Sequence, residues 1–504
     1  MGASFVFSCA HEGLLSTPVR VEADISSGLP RFSIVGLPDT AISEARERVR
    51  AALKNSGFAF PRTRVTINLA PASIKKQGPM YDLAIALALL RASDALTHPE
   101  RLDNIFVIGE LALDGVVRPV RGTLLAATLA KEAGAAGLIT PEASAKEASA
   151  ISGLPIYPAT SLHDVVLSMN EEGLVPFKKR PHRPAKKTHT RDFSDIRGQE
   201  QAKRALTIAA AGGHSVFLSG PPGAGKTMLA RTLPSILPPM TLQESLEVTK
   251  IHSIAGTLHS DSGLVEQRPF RRPHHTSSHV SLIGGGITPR PGEVTLAHHG
   301  VLFLDEFPEF TRKAIENLRQ PLEDGEVTIA RAAGSVTFPA QFMLIAAANP
   351  CPCGFASDPT NACECLPAQL RRYQERCSGP IMDRFDLFLE VPRVDPQELT
   401  NLSDTTSSGE LRNLVRLART QQLQRNKIVG LIYNQQLQTK DLKRLSPLGE
   451  SERLFMKKAA DSFKLSARAF TRVLKVARTI ADLDQSSSIK VAHLGEAVQY
   501  RARL

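Results

Sequence analysis

The residues with the clearest chemistry are Gly220-Pro221-Pro222-Gly223-Ala224-Gly225-Lys226-Thr227. They satisfy the phosphate-loop pattern G-x-x-x-x-G-K-[ST] at every fixed position. Residues 215–219 before the run, with Val216-Phe217-Leu218 at their centre, predict a short buried strand, and residues 228–233 after it predict a helix. In that setting the glycines let backbone N–H groups turn onto phosphate oxygens, and the start of the helix adds partial positive charge. Lys226 is expected to reach the β- and γ-phosphates of ATP, and the Thr227 hydroxyl to hold Mg²⁺. A second run, residues 300–306, is an apolar strand ending in Asp305 and Glu306. Asp305 is placed to bind Mg²⁺, directly or through water, and Glu306 to polarise the attacking water. An apolar strand ending in two carboxylates is common by itself. The phosphate loop upstream gives this pair a metal and a γ-phosphate to act on.

Residues 342–348 predict a third buried strand, ending at Asn349. Two C-x-C pairs follow, Cys351 with Cys353 and Cys363 with Cys365. Four thiolates so arranged can surround a structural Zn²⁺. The spacing departs from the common C-x₂-C, and four reduced structural cysteines are the alternative. With four of the six cysteines clustered, metal is favoured over disulfides, which points to a reducing, cytoplasmic setting. Cys9 and Cys377 have no evident partner.

These residues need elements to position them. A chain of 504 residues is too long for one ordinary core, so about three domains are expected. Residues 1–175 alternate strands (31–35, 65–69, 105–109) with helices (40–56, 81–92, 122–133), an α/β or α+β pattern. Residues 176–192 are basic and proline-broken, a linker that can also touch phosphates. The nucleotide motifs fall within 193–395. Residues 396–504 read as helical: Leu411, Leu414, Val415, Leu417 and Ala418 share one face, 466–483 is a capped periodic helix, and a last helix spans 491–501. The net charge of +11 suits a polyanion, although the absence of Trp advertises no base-stacking platform. Apolar runs such as 83–90 are too short to cross a bilayer, and residues 1–10 lack a basic leader, so no membrane partner and no signal peptide are expected.

Two resemblances extend this reading. Residues 105–120 resemble the "GE…L.G.V.PV.G" segment of the Lon protease catalytic domain. Those proteases carry a Ser in a Gly-Pro-Ser turn and a Lys after the strand. Here the turn is Gly78-Pro79-Met80-Tyr81-Asp82, and the later helix opens Gly122-Thr123-Leu124-Leu125. A Ser-Lys hydrolase needs both groups, so no peptidase activity is expected, only a structural or ligand-gripping role. Lys75 and Lys76 are expected in a solvated loop, with nucleic-acid contact as the alternative.

The chain as a whole, with "RPHH" at 272–275, "GEVTLAHHGVLFLDE" at 292–306, "ANPCPCG" at 348–354 and "SGPIMDRFD" at 378–386, is similar to the YifB family of magnesium-chelatase-like AAA+ ATPases. The resemblance implies an α/β multidomain fold: a Lon-protease-like α+β domain, a central AAA+ P-loop αβα core and a C-terminal helical lid. It implies that residues 193–200 line the adenine pocket and that Asn349 orients the lytic water. It implies that Arg384 reaches the ATP of a neighbouring subunit, hence a homo-oligomer, a hexamer by analogy. Arg468 would sense the nucleotide phosphates, with Arg472 as the alternative, while Arg478 and Arg503 are expected on a basic outer face. Residues 268–276 and Gly284-Gly285-Gly286 suggest loops projecting into a central pore, with plain packing as the alternative for His274 and His275. The implied activity is that of an ATP-driven DNA helicase promoting branch migration in homologous recombination of incoming DNA during natural transformation. Its implied partners are single-stranded and branched DNA and a recombinase. A chelatase-type or protein-remodelling ATPase that does not act on DNA is the second reading. Chelatase ATPase subunits normally lack the N-terminal domain and the basic linker.

Overall fold

A hairpin opens the chain. β1 (Ser4–Glu12) and β2 (Leu15–Ser26) pair antiparallel from Ser4↔Ala23 to Glu12↔Leu15. In β2 the buried Val19, Val21 and Ala23 alternate with Arg20, Glu22 and Asp24, the signature of a strand with one face on a core. The computed structural model describes residues 4–171, 173–178, 191–258, 263–286, 289–331, 334–356, 361–376, 379–394 and 406–501. Most of the basic linker, Cys377 and Arg503 therefore lie outside the described residues. The chain divides into two compact units, one of residues 1–184 with 241–266, the other of 185–240 with 267–504.

The first unit is built on a seven-stranded mixed sheet ordered β3-β4-β2-β1-β5-β8-β9. Its further strands are β3 (Arg31–Val35), β4 (Arg64–Ala70), β5 (Ile105–Val107), β8 (Gly137–Pro141) and β9 (Ile156–Ala159); β6 (Glu110–Leu111) and β7 (Val117–Arg118) form a separate ribbon. Between Asp82 and Arg91 the helix Asp82–Ala92 is apolar on every side and packs on β1 and β2, so nearly all of it is buried. Two expectations are corrected here. Lys76 is not in a solvated loop: its side chain is fully buried and its ammonium donates to the carbonyl of Pro71, while Lys75 alone is exposed. Residues 241–266, expected with the ATPase segment, belong to this first unit. The helix Leu242–Ala255, opened by a Thr241/Glu244 capping box, buries Val248 and Ile251, and its Ser253 hydroxyl donates to Glu147 at 2.5 Å.

The second unit holds a five-stranded parallel sheet ordered β11-β14-β17-β10-β18. Its strands are β10 (Val216–Ser219), β11 (Phe270–Arg271), β14 (Val301–Leu304), β17 (Met343–Ala348) and β18 (Leu387–Glu390); two small hairpins, β12 (Gly284–Gly285) with β13 (Arg290–Pro291) and β15 (Glu326–Arg331) with β16 (Gly334–Pro339), lie outside that sheet. These central strands are short, continuous apolar runs, as expected of strands covered on both faces. The helices Ser408–Asn426, Ala467–Leu483 and Val491–Gln499 do not make a core of their own. Leu411, Val415, Val473, Ile480 and Leu494 join Val216, Leu218, Ile345 and Leu387 in one hydrophobic cluster. The helices of residues 396–504, expected as a helical lid domain, pack on the strands of the ATPase segment. Leu414 and Leu417, placed on the same face by sequence, remain half exposed. Among the described residues no helix is long and apolar enough to cross a membrane.

Candidate nucleotide-binding site

The C-terminal ends of β10, β14 and β17 carry the three predicted motifs, and parallel registry brings them to one edge. Leu304 pairs with Ala346, and Ser219 pairs with Ala348. Open α/β sheets bind ligands at this edge. The loop after β10 passes through Gly223 (φ 80°) and Gly225 (φ 89°), both left-handed, a turn that side chains would resist. The helix Lys226–Thr232 follows at once. The Lys226 ammonium donates to the carbonyls of Gly220 (2.5 Å) and Pro221 (2.9 Å) and to Asn349 Oδ1 (3.1 Å). Burial pushes its pKa down, and the charge of Asp305 opposes that shift. Thr227 Oγ1 donates to Asp305 Oδ2 at 2.9 Å. Asp305 Oδ1 accepts from the Glu306 backbone N–H at 3.1 Å. Glu306 itself has φ 52°, a costly conformation for a residue with a side chain and one found at functional sites. Loop glycines, a lysine at phosphate reach, and a hydroxyl on a carboxylate form a donor set that fits a magnesium nucleotide. Thr227 and Asp305 would hold the metal, and Lys226 the phosphates.

Two residues at this edge escaped the sequence reading. Arg272, from the "RPHH" run, donates to Asp305 Oδ2 at 2.7 Å, and His275 Nδ1 lies 2.9 Å from Glu306 Oε2. The run follows β11 and lies against the carboxylates, not in a projecting loop. The signal was present but indirect: β11 pairs with β14 through Phe270↔Val301 and Arg271↔Leu302, and continuing that register sets 272 beside 303 and 275 beside 306.

The four cysteines converge. The Cys351, Cys353, Cys363 and Cys365 sulfurs lie within 4.8 Å of one another, with Cys351 to Cys363 at 3.7 Å and Cys353 to Cys363 at 3.6 Å. A tetrahedral zinc with Zn–S bonds of about 2.3 Å needs sulfur separations of about 3.8 Å; the two Cys363 separations meet this, while the Cys351 and Cys353 sulfurs stand closer, at 3.2 Å. The Phe355 backbone N–H, then the Cys351 thiol, bring the Cys353 thiol down to about 6. Gly354, inside this loop, leaves no room for a Cβ, which would meet Pro222 Cδ of the phosphate loop at 2.5 Å. The cysteine loop therefore packs on the phosphate loop, immediately after Asn349, whose backbone carbonyl accepts from Tyr373 Oη at 3.1 Å.

The arginines sort differently from one another. Arg384 is buried, donates to the Pro380 carbonyl at 2.9 Å and pairs with Glu323. Burial, and then repulsion from nearby Arg468, Arg319 and Arg472, lowers its pKa, so these arginines form a cationic cluster. Arg472 is committed to structure: it donates to the Arg384 carbonyl at 2.8 Å and to Asp386 Oδ1 at 2.5 Å. Arg478 is not on an outer face. It is 1% exposed and paired with Asp482, because the second half of its helix is buried on every side. In the first unit, Asp82 of the Gly78–Asp82 turn is held by Arg48 at 2.7 and 3.0 Å.

Family models match along most of the chain: Magnesium chelatase, subunit ChlI, over residues 192–399; Subunit ChlI of Mg-chelatase over 21–144; and Magnesium chelatase, subunit ChlI C-terminal, over 405–501. The chain is 43% identical over 507 residues to competence protein ComM of Haemophilus influenzae, covering 100% of this chain and 98% of that protein. It is 42% identical over 504 residues to the uncharacterized protein YifB of Escherichia coli, covering 100% and 97%. A shorter match, 31% identity over 162 residues, relates 29% of the chain to 28% of Lon protease 2 of Bacillus subtilis.

Proposed function

This chain belongs to the YifB/ComM family of magnesium-chelatase-like AAA+ ATPases, and from that premise we propose an ATP-driven ring that moves branched DNA during the integration of incoming strands. The family implies ATP hydrolysis with Mg²⁺. The observation that carries the chemistry is the meeting of Lys226, Thr227, Asp305, Glu306 and Asn349 at one sheet edge. Lys226 exchanges its loop carbonyls for phosphate oxygens. Thr227 and Asp305 would hold the metal, which when bound would supply positive charge against the developing charge on the phosphates. Glu306 accepts a proton from water, and Asn349 helps to place that water. Arg384, with Arg468 beside it, acts on the nucleotide of the adjoining subunit. The four cysteines would hold a structural zinc, and their loop braces Asn349 and the phosphate loop.

DNA as the partner draws on the name of the competence relative and on the +11 net charge. The second reading, an ATPase indifferent to DNA, draws on the magnesium-chelatase family models. A gel assay of strand movement on three- and four-way junctions separates them. Movement that requires ATP, with hydrolysis stimulated by the junction and both lost in Lys226→Ala, is expected. Hydrolysis that ignores DNA, with no strand movement, would leave the second reading standing.

A further inference from the structure

We propose that the segment after β11 sets the two hydrolytic carboxylates, Arg272 tempering metal binding at Asp305 and His275 orienting Glu306. The proposal rests on the reading of this edge as an ATP site. Strand alternation makes the division of labour. Arg271 turns to one side, where Glu293 holds it with two bonds of 2.7 and 2.8 Å. Arg272 turns to the other, its guanidinium 5.8 Å from the centre of the Phe303 ring and 2.7 Å from Asp305 Oδ2. That same oxygen accepts the Thr227 hydroxyl at 2.9 Å. Two donors therefore share one oxygen of the carboxylate assigned to the metal. A guanidinium there takes up a lone pair and repels a divalent cation. Three residues on, His275 stands 2.9 Å from Glu306 Oε2, and its ring is restrained by the His274 ring at 4.2 Å. The Glu306 side chain is otherwise largely open, at 60% exposure. With Oε2 held, Oε1 is the oxygen left to take a proton from water.

The test separates metal binding from turnover in the full-length chain. Binding of a fluorescent ATP analogue is followed while Mg²⁺ is titrated. Arg272→Ala is expected to lower the Mg²⁺ midpoint by about two- to fivefold, the scale of a partly exposed ion pair. Arg272→Lys, which keeps a charge but loses the planar fork, is expected to move it less in the same direction. His275→Ala is expected to lower kcat by about tenfold or more with analogue affinity unchanged, because a misplaced reacting group costs rate and not ground-state binding. His275→Asn, which retains a donor, is expected to recover part of that loss. A midpoint at or above the wild-type value in both Arg272 variants overturns the proposal. So does a His275→Ala chain with wild-type kcat, or one in which kcat and affinity fall together. A wild-type chain that binds no analogue at any Mg²⁺ concentration overturns the ATP reading and this inference with it. Wild-type binding with insensitive variants overturns this inference alone.

Discussion

In the proposed mechanism hydrolysis turns on Glu306. It follows an apolar strand, takes a left-handed backbone conformation and presents a carboxylate beside Asp305. An amide at this position keeps the shape but cannot accept a proton. Glu306→Gln is therefore expected to lower kcat by about 10²- to 10⁴-fold while leaving nucleotide binding intact. Steady-state hydrolysis and analogue binding measure the two separately, and turnover close to wild type would remove Glu306 from the proton transfer. The residues that sequence could reveal share a property: their partners lie within one short motif, or at the end of a strand that composition marks. Lys226 and Thr227 are of this kind, and so is Asp305. Arg272 and His275 are not, because their partners are supplied by parallel pairing between strands that the sequence alone does not align. Arg478 shows a second limit. Periodicity finds the stripe that faces a core, but not that a helix becomes enclosed on all sides in its later turns.

The elements explain why a cysteine loop sits beside an ATP site. β17 ends at Ala348, Asn349 receives the Lys226 ammonium, and the chain then enters the four-cysteine loop, which returns Gly354 to Pro222. Two points of the nucleotide site are thereby tied to one small loop. A metal binding four thiolates contributes directly to folding of the segment it closes. Protein prepared without chelator is expected to carry one zinc per chain by elemental analysis. Cys353→Ser and Cys365→Ser are expected to release it and to lower ATP turnover, with the remainder of the fold retained by circular dichroism. Cysteine variants that lose the zinc and hydrolyse ATP as wild type would confine the metal to a role away from the nucleotide. At this scale the second unit was the more legible. Its strands are uniform apolar runs ending in motif residues, whereas the β1–β2 hairpin carries no such marker. The helix Leu242–Ala255 opens with a capping box, but nothing local in its sequence marks it as part of the first unit. That assignment depends on contacts far away in the chain, such as the bond from Ser253 to Glu147, 106 residues earlier.

At the scale of the whole molecule, the question is whether one subunit completes the site of another. Arg384 pairs with Glu323 within its own chain, yet stands among Arg319, Arg468 and Arg472, whose like charges oppose one another. Glu323 and Asp386 already meet two of these guanidinium groups, and a neighbour's triphosphate is a further anion of the kind such a cluster attracts. The head-to-tail contact of a closed ring gives each subunit one phosphate loop to its neighbour's arginine. Two inactive variants then test the arrangement together. Lys226→Ala keeps the arginine and loses the nucleotide; Arg384→Ala keeps the nucleotide site and loses the arginine. Each alone is expected to hydrolyse ATP poorly. Mixed in equal amounts and allowed to assemble at random, they place an intact loop beside an intact arginine at about one interface in four, so about a quarter of wild-type hydrolysis is expected. Because Arg384 is buried, each variant is first compared with wild type by thermal unfolding and by mass measurement of the assembly. Two variants that fold and assemble but regain nothing on mixing would place Arg384 in the service of its own subunit, with Glu323 as its partner in a purely structural pair.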